Sequence, residues 1–265
     1  MRGNLLSDSI QSRVQENNVT AKLTNGLNVD HSNYVVLNGK SSKLVNGLII
    51  QSLPPVSKPM MRTQIEEIDG RDGDIVTNLG YSAYDKQMLI GLYGNFDIDA
   101  VIEFFNSKGT VTFSNEPDKQ YYYEVTASID FERLIRFRKA TVTFHVQPYK
   151  YSIADNGLSI VPAENEDVIY VYNYGNTTSR PIITVYGTGT INLSVNHRQI
   201  FVLDIGNDGY ITVDIEHLEA YKADVLKNRY VTGDFENLVF EKGKNTISWS
   251  GSVTEFQFEK VSRWV

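Results

Sequence analysis

The sequence predicts a mainly β protein, with an N-terminal α+β domain (antiparallel strands and one helix) followed by a C-terminal β-sandwich. Three observations support this. The chain is rich in Val, Ile, Thr and Tyr, residue types that fit a pleated, half-buried surface. One clear stretch, beginning at Asp97, has apolar residues at helical spacing. From Val168 onward, strand-like runs are separated by turn signals at about 8–12-residue spacing, the pattern of a sandwich. At 265 residues, one large or two modest domains are expected, burying ~70–75% of their surface. Pro148 to Glu166 is polar and small-residue rich, which places a boundary near 150–160 and gives domains 1–150 and 151–265.

Residues 1–30 are polar and poorly patterned. They read either as a flexible arm or as a short amphipathic helix over Ser7–Asn17, with Leu6, Ile10 and Val14 on one stripe. Tyr34–Leu37 followed by Asn38-Gly39 reads as a strand entering a tight hairpin turn, and Asn46-Gly47 repeats the signal before Leu48-Ile49-Ile50. Pro54, Pro55 and Pro59 make the next segment a loop or an edge. In the helix, Asp97 is the expected cap, Asp99 and Glu103 favour the positive end, Ile98, Val101, Ile102 and Phe105 share a core-facing stripe, and Gly109 is the expected stop. Val111–Phe113, Tyr121–Val125 and Ala140–Val146 then read as strands, with a turn at Glu116-Pro117-Asp118. In the second half, turns are expected at Asn173–Asn176, Gly187–Gly189, Asn196-His197, Asn207–Gly209 and Glu241–Lys244. Tyr210–Asp214 and Thr246–Trp249 read as cleanly alternating strands.

Met61–Tyr81, MRTQIEEIDGRDGDIVTNLGY, combines these signals most densely. Arg62, Gln64 and Glu66 alternate with Thr63, Ile65 and Glu67, and a turn with two glycines and three aspartates follows before Ile75 and Val76. Its aspartates are suited to Asx-turns, and Arg71, with carboxylates on both sides, to a fork-like ion pair. As a calcium loop it fails: Asp69, Asp72 and Asp74 are out of step with the D-x-[DN]-x-[DN]-G pattern and no closing Glu follows. A turn between paired strands is the expected reading.

Composition narrows the function further. With 32 acidic against 25 basic residues the net charge is −7, and the one basic group, Arg133, Arg136, Arg138 and Lys139, alternates with Leu134, Ile135 and Phe137 as on a solvated strand edge. Direct nucleic-acid binding is not expected. There is no cysteine, hence no disulfide, thiolate nucleophile or cysteine zinc site. The first residues lack the apolar core of a secretion signal, and no apolar run approaches the ~20 residues of a membrane span. A soluble protein is expected.

No chemistry-bearing constellation emerges, so no catalytic residue, metal site or cofactor is expected. A G-x-S-x-G elbow is missing, and His31, His145, His197 and His217 lack zinc spacing. Asp214 and Glu216 beside His217 form an acidic pair of the sort glycosidases use, though such pairs at sandwich edges are usually solvated. Gly187-Thr188-Gly189 starts like a dinucleotide loop, but Asn192 stands where the next glycine is needed. A glycan-binding face is a stronger alternative, because Tyr170, Tyr172, Tyr174, Tyr186, Tyr210, Tyr221, Tyr230, Trp249 and Trp264 could stack on sugars.

EEIDGRDGD, preceded by its basic-acidic strand, resembles the signature of the distal tail protein (Dit) family of long-tailed bacteriophages. Ala140–Tyr149 resembles the strand closing that family's first domain, and Asn173–Asn176 with Arg180–Gly189 the opening of its second. Gly233-Asp234-Phe235 with Leu238, and Lys242–Ile247, resemble its last turns. The match runs from about Tyr34 to the C-terminus. The resemblance implies a structural virion component at the tail tip or baseplate, assembled in the host cytoplasm, with a galectin-like or carbohydrate-module-like second domain. Six first domains would form a homohexameric ring around the tail channel. Its faces would meet the tail tube protein and a tail-associated hub protein, and the outward domains would hold receptor-binding or baseplate proteins. Arg62, Glu66, Glu67, Asp69, Arg71, Asp72 and Asp74 are then the expected subunit contacts. The alternative function is a host-glycan-binding module of the tail tip.

Overall fold

The computed structural model describes residues 33–265; the stretch of residues 1–30 read as an arm or helix lies outside them. The first half of the chain contributes β1 (Val35–Leu37), β2 (Lys40–Ser41), β3 (Leu48–Ser52), β4 (Met61–Glu67), β5 (Asp74–Tyr81), β6 (Tyr84–Leu92), α1 (Ile98–Phe105), β7 (Lys108–Phe113), β8 (Lys119–Glu124), α2 (Phe131–Phe137) and β9 (Lys139–Ser152). The second half contributes β10 (Leu158–Ile160), β11 (Val168–Asn173), β12 (Ile182–Val195), β13 (Arg198–Gly206), β14 (Tyr210–Asp214), β15 (Glu219–Lys222), β16 (Val225–Leu226), β17 (Val231–Gly233), β18 (Gly243–Glu259) and β19 (Arg263–Trp264).

The first sheet is antiparallel in the order β2-β1-β7-β8-β9-β6-β3, with β19 also paired to β9. Its tightest turn is at Asn38-Gly39, where both residues have positive φ (48° and 80°), as a two-residue hairpin of this hand requires. Asp97 caps α1 through its carboxylate, which accepts from the Asp99 and Ala100 amides. The α1 stripe differs from expectation. Val101, Phe104 and Phe105 are buried, while Ile102 lies out in solvent. The helix stops at Phe105, with Asn106 as its cap. Gly109 lies instead inside β7, where a Cβ would strike the Asn38 side chain. Phe144 anchors the core, its ring centroid 5.3 Å from Tyr123, 5.6 Å from Phe113 and 6.5 Å from Phe105.

The basic run is not an extended edge. Phe131–Phe137 forms a helix that begins where the Asp130 carboxylate accepts from the Arg133 amide at 2.8 Å and ends on Arg138 in the left-handed region. Only Leu134 of this helix is buried. Phe131, Leu134 and Ile135 stand at helical spacing, which agrees with the Asp130 cap and not with a strand edge.

In the second sheet two strands are much longer than the short runs expected: β12 has 14 residues and β18 has 17. Each passes through both layers of the sandwich. Ile182–Tyr186 pairs with β14 and with Glu255–Glu259 of β18, whereas Asn192–Val195 pairs with β13 and with Ile247–Ser250. The change of layer falls at Gly187–Gly189 and Gly251, where the register is interrupted. Gly187–Gly189 is therefore a bend within one strand, not a hairpin turn. A side chain at Gly187 would meet the Ser252 carbonyl, and one at Gly251 (φ +107°) the Thr190 carbonyl, so the strands can cross over only where there is no Cβ. Both layers bury their inner residues in one core that includes Ile183, Val185, Leu193, Phe201, Leu203, Phe256 and Phe258. Thr246–Trp249 alternates as expected; in Tyr210–Asp214 the last four residues are all buried.

The chain end returns to the first sheet. Arg263 pairs with Tyr151, places its guanidinium 4.0 Å from the Tyr149 ring and donates to the Thr178 carbonyl at 2.6 Å. Lys260 reaches Glu216 at 3.0 Å while lying over the Tyr122 ring at 4.8 Å. Buried Asp155 accepts from the Ser262 amide, and burial raises its pKa.

Candidate functional site

The strands β4 and β5 pair with each other and belong to neither large sheet. The register runs from Glu67↔Asp74 through Ile65↔Val76 to Met61↔Tyr81, with an irregularity between Met61 and Thr63. Gly70 and Gly73 both take positive φ in the connecting loop, and the Arg71 amide closes it onto the Ile68 carbonyl at 3.1 Å. Every residue of β4 is exposed. Met60, Ile65, Ile68, Val76 and Leu79 are all more than two-fifths exposed, and directly opposed Ile65 and Val76 share one face. A lone two-stranded hairpin is marginally stable in water, and this one carries an exposed, directly opposed apolar pair, Ile65 and Val76, at its centre.

The residues singled out in the sequence fall along this arm. Arg62 lies at its base, donating to the Leu79 carbonyl at 3.1 Å. Glu66 and Glu67 close β4, Asp74 opens β5, and Asp69, Arg71 and Asp72 form the tip, all exposed. The expected Arg71 fork and Asx-turns do not form: Arg71 has no ion pair among the described residues, and the three aspartates accept no local amide bond there. The loop's backbone geometry is carried by its glycines. No group of three metal-ligating side chains converges among the described residues. Sequence reading overlooked the apolar members, because alternation assigns residues to faces without saying which face is covered.

The arm is launched from a buried charged cluster that sequence reading also overlooked. Lys86, 3% exposed, takes an inward position on β6 beside Met88 and Ile90, where the period of two demands an apolar residue. Its ammonium donates to the Pro55 carbonyl at 3.0 Å and sits 5.0 Å from the Tyr121 ring. Glu116 accepts from Lys150 and from the Tyr121 hydroxyl, each at 2.6 Å. Asn115 holds the Pro54 carbonyl and Tyr84 the Ser57 carbonyl. Three side chains, Lys86, Asn115 and Tyr84, thus fix the Pro54–Ser57 run just before β4. Burial pushes the Lys86 pKa down to about 8, against the pull of Glu116. Burial pushes Glu116 upward, but the Lys150 and Tyr121 bonds outweigh it and leave its carboxyl below the usual value. Burial and the bond to Glu116 raise the Tyr121 phenol.

These shifts give a pH prediction. Lys86 ionises at a lower pKa folded than unfolded, so between about pH 8 and 10.5 the unfolded state binds more protons and stability rises with pH. Tyr121 acts oppositely: past its ordinary 10.0 the unfolded phenol loses its proton first, and stability falls. Denaturant unfolding should show a gain of ~1–3 kcal/mol from pH 7 to pH 9.5, and Lys86→Met should flatten it.

The acidic pair beside His217 is engaged in local structure. Asp214 accepts from the Glu216 and His217 amides and lies 2.9 Å from the His217 ring nitrogen, and Glu216 holds Lys260. His145 pairs across strands with Asp85 at 2.8 Å on an exposed surface.

The chain thus joins a mainly antiparallel first sheet, a separate two-stranded hairpin and a sandwich. Residues 37–146 match the family model of the phage tail protein RIFT-related domain. Among solved structures, the Dit protein of phage SPP1, described as a paradigm of the hub adsorption apparatus of phages infecting Gram-positive bacteria, is 16% identical, with a TM-score of 0.59 over 88% of this chain and 99% of that one. The chain therefore has the fold of the siphophage distal tail protein, and the resemblance read from its motifs stands. Two structures of the activated phage p2 baseplate, with calcium and with strontium, are 11% and 14% identical, with TM-scores of 0.44 and 0.42, covering 88% and 86% of this chain and 98% and 97% of theirs. No curated protein matches in sequence.

Proposed function

We propose that this protein is the distal tail hub of a siphophage, a structural subunit that acts by shape and performs no covalent chemistry. Six copies close into a ring around the tail channel through residues up to about 150, and residues 151–265 project outward. One ring face meets the tail tube protein and the other a tail-associated hub protein. The outward domains hold receptor-binding or baseplate proteins of the virion, and assembly takes place in the host cytoplasm.

The observation that carries this reading is the β4–β5 arm. Among the described residues it has no further strand partner, and its Ile65–Val76 pair is exposed. Such an edge is a hazard in a monomer and a pairing surface in an assembly. A single heterologous contact of this kind, repeated through a closing rotation, makes a ring. The apolar centre supplies affinity, while Arg62, Glu66, Glu67, Asp69, Arg71, Asp72 and Asp74 set register and choose the partner. Exposed ion pairs contribute only ~0–1 kcal/mol each.

Multi-angle scattering tests the reading: the mass should be about six times the 30.0-kDa chain. Arg71→Ala should shift the hexamer–monomer balance modestly toward monomer, within that ~1 kcal/mol per contact. An unchanged balance would remove Arg71 from the interface.

A further inference from the structure

We infer that, given the ring proposed above, the exposed face of α2 receives the acidic end of the β4–β5 arm of a second copy of this chain. Arg133, Arg136, Arg138 and Lys139 follow one another closely on a chain whose net charge is −7, and Glu132 is the one carboxylate within the helix. Among the described residues none of these four cations forms an ion pair. Uncovered apolar groups lie between them: Phe137 is 64% exposed and Ile135 45%. At i, i+3 and i+4 spacing, Arg133, Arg136 and Phe137 share one side of the helix. The Arg136 guanidinium lies 5.5 Å from the Phe137 ring centroid and that of Arg138 lies 4.3 Å from the Phe96 ring centroid. Two of the cations are thus already laid on aromatic faces.

The far end of the arm carries the opposite charge. Glu66, Glu67, Asp69, Asp72 and Asp74 are exposed around a single cation, Arg71. None of the five carboxylates has an ion-pair partner among the described residues. Behind them lie exposed Ile68 and the Ile65–Val76 pair. Each surface thus joins charge of one sign to uncovered apolar groups, and the two signs are complementary. Their placement also fits. The chain leaves the arm at Tyr81 and enters β6 at Tyr84, opposite Val146 of β9, whereas α2 leads into β9 at Lys139, opposite Gly91. The arm and α2 therefore join the β6–β9 pair at its opposite ends, ~23 Å apart at strand rise. A heterologous contact that closes a ring needs its two halves on different sides of the subunit. A nucleic acid would answer the cations and leave Phe137 and Ile135 uncovered; the arm answers both.

Charge exchange in the full-length chain tests this, with multi-angle scattering reading mass across a dilution series. Arg133→Glu/Arg136→Glu should weaken assembly about tenfold or more, and so should Asp69→Lys/Asp72→Lys/Asp74→Lys. The chain carrying both sets again has opposite charges across the contact and should assemble within about threefold of wild type. The tip set lies on a hairpin that pairs with neither large sheet, so it reads the contact even where the helix set lowers the melting temperature. If wild type is hexameric, a helix-set variant that assembles equally well, or a combined variant no better than either set alone, overturns the inference and leaves the ring reading standing. So does a helix-set variant that keeps its hexamer but loses the tail tube protein or a nucleic acid, which would give the α2 face to that partner. A wild-type chain that stays monomeric, alone and with the tail tube protein, overturns both.

Discussion

Ile65→Asp combined with Val76→Asp is expected to leave the protein folded and monomeric. Both residues are more than half exposed and directly opposed on a hairpin that pairs with neither large sheet. Exchanging them costs the isolated chain little, since surface changes away from special features usually stay within ~0.5 kcal/mol. In the proposed ring the same carboxylates would be buried without partners against a neighbour, a cost of several kcal/mol at each contact. Because a closed ring repeats the contact in every subunit, the penalty multiplies, and assembly should be lost at micromolar concentrations. Size-exclusion elution with scattering reads the mass, and circular dichroism melting reads the fold. A hexamer that survives the double substitution would place the interface elsewhere.

Phe144→Ala is expected to have the opposite signature, destabilising the chain itself. Phe144 is fully buried on β9, with Phe105, Phe113 and Tyr123 around its ring. Those partners come from α1, β7 and β8, which cannot all collapse into one vacated space. Deleting a buried phenylalanine costs ~3–5 kcal/mol, a large part of the ~5–15 kcal/mol that holds a domain together. The denaturant midpoint should fall sharply with little change in slope. A loss below ~1 kcal/mol would mean the core repacks far more freely than its edge-to-face rings suggest.

The contrast between these two sites shows what the sequence can and cannot carry. Local chemistry was legible: Asn38-Gly39 demanded its hairpin, Asp97 its helix start, and the two glycines between Ile68 and Asp74 a turn between paired strands. Some short segments were misjudged. At Arg133–Phe137 the strand-edge reading passed over the helical spacing of Phe131, Leu134 and Ile135 and the Asp130 cap. Glycine pairs were ambiguous. At Gly187–Gly189 the missing Cβ serves a long strand crossing between layers instead of a chain reversal. The Lys86–Glu116–Lys150 cluster was hidden by distance along the chain, although a lysine on the inward parity of β6, between Tyr84 and Met88, was a signal available to be read. Likewise, the alternation of β4 is that of any half-buried strand, and its detachment from both sheets is a tertiary fact.

Negative-stain microscopy of the purified full-length chain tests the central claim most directly. Closed six-fold rings with a central channel and outward-pointing lobes are the predicted images. Particles that remain single, alone and after mixing with the phage's own tail tube protein, would contradict it.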